Sequence, residues 1–129
     1  MKAVPKLRPY LQLGGLRHDF PIIAAMVPAN SRVLDIGCGD GDLLQFLQLE
    51  RNVDGRGLEL SQRGVNASVA RGLAVVQGDA DADLVDYPDG AFDVVILSQS
   101  LQVLLQPRGV LEQMLRIGQQ TIVSFPSFA

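Results

Sequence analysis

With 129 residues, 47% of them apolar and 19% charged, the chain has material for one folded domain and falls outside the disordered class. Eleven Lys and Arg against fourteen Asp and Glu give a formal charge of −3 without a basic stripe. That balance argues against a nucleic-acid partner and suits a neutral or cationic small ligand. The single cysteine, Cys38, excludes an intrachain disulfide, and no apolar run reaches signal-peptide or membrane-spanning length. A cytoplasmic protein without a membrane contact is expected.

Residues 1–18 hold Pro5, Pro9 and the pair Gly14–Gly15 and read as an irregular lead-in, with the domain proper at 19–129. Asp19 can cap a helix from about Phe20 to Val27, with Pro21 in its first turn, Pro28 at its end, and Ile22, Ile23, Met26 and Val27 as its buried face. Arg32 to Ile36 is a buried strand candidate, followed at once by a glycine-rich loop. Asp42 to Arg51 has helical spacing, and Leu43, Leu44, Phe46 and Leu47 can face a sheet.

Val53 to Leu60 is the second strand, Ser61 caps a helix from Gln62 to about Arg71, and Gly72 stops it. Leu73 to Gln77 is the third strand, and Ala80 to Gly90 is acidic and loop-like. Phe92 to Ser98 carries Val94, Val95, Ile96 and Leu97 in a row, the pattern of a strand buried on both faces. Gly109 to Ile117 is a helix and Gln120 to Phe125 the last strand. The alternation predicts an α/β fold, a doubly wound Rossmann-like parallel sheet of about five strands flanked by helices.

The loop Gly37–Cys38–Gly39–Asp40–Gly41 lies between the first strand and a helix, the context of a nucleotide-cofactor loop. Glycines let backbone approach a ligand that a Cβ would push away, and the following helix start offers free N–H groups. The spacing is Gly-x-Gly-x-Gly, with Asp at position 42 where a dinucleotide loop has its third glycine. Asp35 and Asp40 also suit a pyrophosphate poorly, so an NAD-dependent oxidoreductase is disfavoured. They suit a ligand with an ammonium and a sulfonium, as S-adenosylmethionine has. Glu59 ends the second strand, where an acid binds ribose hydroxyls, and Asp79 follows the third, where a carboxylate can accept from an adenine amine. Leu60 and Ala80 follow these acids and can flank the adenine or simply pack in the core. The stretch Ser98–Gln99–Ser100–Leu101 falls where acceptor-facing groups sit, with hydroxyls and an amide that could position an acceptor or cap a helix.

The string Val33–Leu34–Asp35–Ile36–Gly37–Cys38–Gly39–Asp40–Gly41, with Glu59, Gly78–Asp79 and Phe92–Asp93–Val94–Val95, resembles the motif set of class I S-adenosylmethionine-dependent methyltransferases. A narrower resemblance, to the MetW family of methionine-biosynthesis proteins, is carried by Arg32 to Leu44, Val53 to Glu59, Ile96 to Gln102 and Ser124–Phe125–Pro126. The resemblance implies S-adenosylmethionine or S-adenosylhomocysteine as cofactor, held by Asp35, Gly37, Cys38, Gly39, Asp40, Gly41, Glu59, Leu60, Asp79, Ala80 and Ser98. It also implies a link to methionine synthesis alongside a homoserine acyltransferase. Two functions stay open: methyl transfer to an unidentified small acceptor, and a non-catalytic cofactor-binding regulator of that acyltransferase.

No general base and no metal ligand is assigned. Cys38 reads as a packing residue, and His18, Tyr10 and Arg17 as ordinary surface groups. Relative to a complete class I domain the sequence is C-terminally short and lacks the usual antiparallel hairpin. Its last strand, with Ile122, Val123 and Phe125, is therefore expected to expose an edge that a second copy could pair, making a homodimer.

Overall fold

The computed structural model describes residues 6–7, 11–13, 16–98 and 104–126, with side chains described for 20–98 and 104–124. In chain order the elements are β1 (Lys6–Leu7), β2 (Leu11–Leu13), α1 (Leu16–Met26), β3 (Arg32–Ile36), α2 (Asp42–Arg51), β4 (Asp54–Glu59) and α3 (Gln62–Ala70). There follow β5 (Val75–Gln77), α4 (Ala80–Asp83), a 3-10 turn (Leu84–Asp86), β6 (Phe92–Leu97), α5 (Pro107–Ile117) and β7 (Gly118–Pro126).

Five of these strands build the expected sheet in the order β7-β6-β3-β4-β5, and every pairing among the described residues is parallel. From β3 the chain winds outward through β4 and β5, then returns to the other side of β3 for β6 and β7. The winding direction thus reverses between β3 and β6, and open α/β sheets bind ligands outside the carboxyl ends at such a point. Asp93 ties the opposite end of the same pair, accepting from the Arg32 N–H at 2.8 Å. That bond, foremost, holds the Asp93 carboxyl below its ordinary range.

Both faces of the sheet are covered. Phe20 and Ile23 of α1, Val27 just after it, and Leu43 and Leu47 of α2 pack on Val33, Val94, Ile96 and Ile122. On the other face Leu84, Val110, Met114 and Ile117 cover Leu34, Ile36, Val95, Leu97 and Val123. Val94, Val95, Ile96 and Leu97 of β6 divide alternately between the two clusters, which explains their unbroken apolarity.

Three regions differ from expectation. The lead-in is not wholly irregular, because β1 and β2 pair in parallel with β7, Lys6 opposite Gln120 and Leu11 opposite Ser124. The β7 edge is therefore occupied by the chain's own N-terminal segment, which removes the proposed edge-to-edge route to a homodimer. Helix α1 starts at Leu16, so Asp19 lies inside it instead of capping it, Pro21 sits beyond its first turn, and Ile22 faces outward. The acidic stretch after β5 is not a loop, since Ala80 to Asp86 forms α4 and the 3-10 turn.

Candidate functional site

The loop from Gly37 to Gly41 turns through three left-handed glycines, with φ of 75° at Gly37, 60° at Gly39 and 90° at Gly41. The reasons for glycine differ along the loop. A Cβ at Gly41 would collide with Leu73 Cδ1, so this glycine serves the packing of α2 against α3. A Cβ at Gly39 would meet nothing within 4 Å, so the space beside it is open to a ligand.

Asp35 is fully buried one residue before the end of β3. The Ser98 hydroxyl donates to its Oδ1, while Oδ2 has no hydrogen-bond partner among the described residues. Burial pushes this carboxyl up to about 7, the Ser98 bond pulls it back in part, and the nearby Glu59 charge adds to the rise. A buried carboxylate with one idle oxygen is costly. Asp35 lines a cavity of about 180 Å³ with Gly37, Cys38, Gly39, Asp40 and Ser98, closed on one side by Phe20 and Leu43. The idle oxygen and the open space at Gly39 fit a ligand that presents a positive charge.

Glu59 is held differently. Its Oε1 accepts from Gly39 N–H and its Oε2 from Ser61 N–H, both at 2.8 Å. Each oxygen keeps a further lone pair, so a diol can still donate to it. Helix α3 approaches this pair through Gly64, where a Cβ would lie 2.8 Å from the Gly39 carbonyl oxygen and 3.0 Å from Glu59 Cγ. Ser68 of α3 donates to the same Gly39 oxygen at 3.1 Å, and Arg71 donates to the Asp40 carbonyl and to Asp42 at 3.2 and 2.6 Å. The loop is thereby fixed by two side chains, Ser68 and Arg71, that do not themselves line the cavity.

Cys38 is buried against Leu44, Val65, Leu73 and Val75. Burial, then the charges of Asp35 and Glu59, push its thiol up to about 12, so it stays protonated and inert.

Beyond β5, Asp79 caps α4, its Oδ1 accepting from Asp81 N–H at 2.9 Å, and Asp83 reaches back to Asp79 N–H at 2.7 Å. Leu60 is 58% exposed at the strand-end surface, whereas Ala80 is buried in the core with Leu84, so its methyl group is a packing element. The structure thus gathers Asp35, Gly37, Cys38, Gly39, Asp40 and Ser98 around one cavity and joins Glu59 to them through Gly39. Leu60 and Asp79 stand at the next strand ends. Gly41 and Ala80 do not line that cavity. Gln99, Ser100, Leu101 and Tyr10 lie outside the described residues.

Sequence reasoning missed Phe20, which had no signal beyond apolarity, and Gly64, a glycine within a helix, where a close backbone approach is the usual reason.

Comparison with known proteins agrees with this architecture. Residues 17–129 match the family model described as "Methionine biosynthesis protein MetW". The bifunctional methionine biosynthesis protein MetXA/MetW of Rhodopirellula baltica is 36% identical over 122 residues, which is 88% of this chain and 20% of that protein. Ajmaline N-methyltransferase of Rauvolfia serpentina is 30% identical, over 78% of this chain and 36% of its own. This chain therefore spans only a minor part of these relatives. Among solved structures, it superposes on an S-adenosyl-L-methionine-dependent methyltransferase-like protein of Methanococcus maripaludis with a TM-score of 0.70 at 20% identity, covering 84% of this chain and 56% of that one. A chain from the complex of the Haloferax volcanii Trm112 methyltransferase activator with a putative methyltransferase gives 0.68 at 26% identity, covering 79% and 48%. No helix among the described residues is long and apolar enough to cross a membrane.

Proposed function

The chain belongs to the MetW family of methionine biosynthesis proteins, and we propose that it binds S-adenosylmethionine at the carboxyl ends of β3, β4 and β5 and transfers the methyl group to a small acceptor. The observation that carries this reading is the buried, unpartnered Oδ2 of Asp35 beside the open backbone of Gly39. Among the described residues that line this recess there is no positive charge.

In this reading the ionised Asp35 receives the cofactor's ammonium group and Gly39 leaves room for its backbone-hugging chain. Glu59 accepts from the ribose hydroxyls, Asp79 from the adenine amine, and the exposed Leu60 covers one side of the base. When bound, the cofactor supplies an electrophilic methyl group on a sulfonium. The residues' contribution is chiefly to orient it, which is where much of such a barrier can be removed. Ser98, which follows β6 and donates to Asp35, is the described side chain that we assign to the acceptor side.

Calorimetric titration tests this directly. Heat is expected with S-adenosylmethionine and with S-adenosylhomocysteine, and none with NAD. Silence with the first two ends the proposal.

A second reading is favoured by one finding, the relative in which the stretch similar to this chain is a fifth of a bifunctional MetXA/MetW protein. Here the cofactor site would serve to regulate a homoserine acyltransferase. Co-purification with that enzyme and a cofactor-dependent change in its rate would support regulation. Methyl transfer to a defined acceptor without it would support catalysis.

A further inference from the structure

Asp81 is the one acid of the α4 turn whose carboxylate leaves the turn. Its Oδ2 accepts from Leu105 N–H at 2.9 Å and its Oδ1 from Gln106 N–H at 2.8 Å, contacts that span 24 and 25 residues of sequence. Gln106 is the capping residue of α5 and makes no side-chain cap bond of its own, and Pro107 follows it without an N–H. The negative charge at this helix start is thus provided from α4, where the α5 dipole favours it. The backbone of the same residue faces the other way, because Asp81 N–H is the group that holds Asp79 Oδ1.

One residue therefore binds in two directions, orienting the Asp79 carboxylate through its N–H and fixing the start of α5 through its side chain. Without the side-chain contact, the Asp81 N–H that holds Asp79 would no longer be tied to α5. We infer that Asp81 is a positioning residue, holding Asp79 in its cofactor-binding orientation by bracing α4 against the N-terminus of α5. The inference rests on the proposed cofactor site and adds to it a residue that touches no cofactor.

The test compares wild type with Asp81→Ala and Asp81→Asn by calorimetric titration with S-adenosylhomocysteine. Amide hydrogen exchange at Leu105 and Gln106 is followed with and without that ligand, and thermal melts serve as a control. For Asp81→Ala, affinity is expected to fall about tenfold, the scale of one lost charge-assisted hydrogen bond. In wild type the ligand is expected to slow exchange at both amides, and in Asp81→Ala that response disappears. Asp81→Asn keeps one acceptor oxygen, so its affinity should lie between the two and keep the test open if the alanine variant folds poorly. Wild-type binding with unchanged affinity in both variants overturns the bracing role alone. An absence of binding by wild type overturns it together with the cofactor site.

Discussion

Asp35 and Glu59 lie at the carboxyl ends of neighbouring parallel strands, β3 and β4, Asp35 lining the cavity and Glu59 joined to it through Gly39, but the fold treats them in opposite ways. Glu59 spends both oxygens on backbone N–H groups of Gly39 and Ser61, so each has a partner before any ligand arrives. Asp35 is fully buried with a single partner, Ser98, and an idle oxygen, and its proton is retained to about 7. The first acid is a structural member that can also bind in the proposed site; the second, the proposed binding group, is one that the free fold tolerates at a cost. Substitutions at the two should therefore separate affinity from stability.

The largest effect is expected at Asp35. Asp35→Asn removes the only buried charge in the cavity and should weaken S-adenosylmethionine by about 2–3 kcal/mol in a calorimetric titration at pH 8. The same variant should hold the free protein together better. The folded state keeps the Asp35 proton from 3.8 up to about 7 while the unfolded chain releases it, so wild-type stability falls as pH rises across that window. Urea midpoints of variant and wild type should diverge from pH 4 to pH 8, in the variant's favour. A constant gap would remove Asp35 from this role. For the wild type, cofactor affinity should climb as pH passes 7 and then level off.

Glu59→Ala should cost affinity and stability together. The loss of ligand hydrogen bonds is about 1–3 kcal/mol, and two backbone donors at Gly39 and Ser61 lose their acceptor. A variant that binds normally would show that the ribose does not reach this acid. Gly64→Ala comes next. Its Cβ would push α3 off the Gly39 carbonyl and Glu59, for about 1–3 kcal/mol in urea unfolding, with affinity falling only because the loop shifts. Cys38 should respond least. Its thiol, held up to about 12, should resist iodoacetamide in the native protein at pH 8 and react once urea is added.

The strand ends were legible in the sequence because alternating apolar runs and helix caps fix where each strand stops, and the acids follow at those stops. What an acid does there was not legible. The Ser98–Asp35 bond spans 63 residues and follows from register, since Asp35 lies opposite Ile96 and Ser98 is two residues further on. The α4 turn was hidden because Asp79, Asp81 and Asp83 look like a solvated acidic run until their side chains are seen capping backbone. At the N-terminus two prolines and paired glycines masked the short strands, whose stability comes from β7 and not from their own pattern.

The vacancy beside the α-carbon of Gly39 also offers an experimental handle. A methyl group placed there strikes nothing, so Gly39→Ala costs only the left-handed backbone penalty, on the order of 1 kcal/mol. It would do so while filling the space assigned to the proposed cofactor. Such a molecule would be a scaffold without its small-molecule function. Mixed with an acyltransferase, it would show whether the partner responds to the shape of this protein or to what the protein carries.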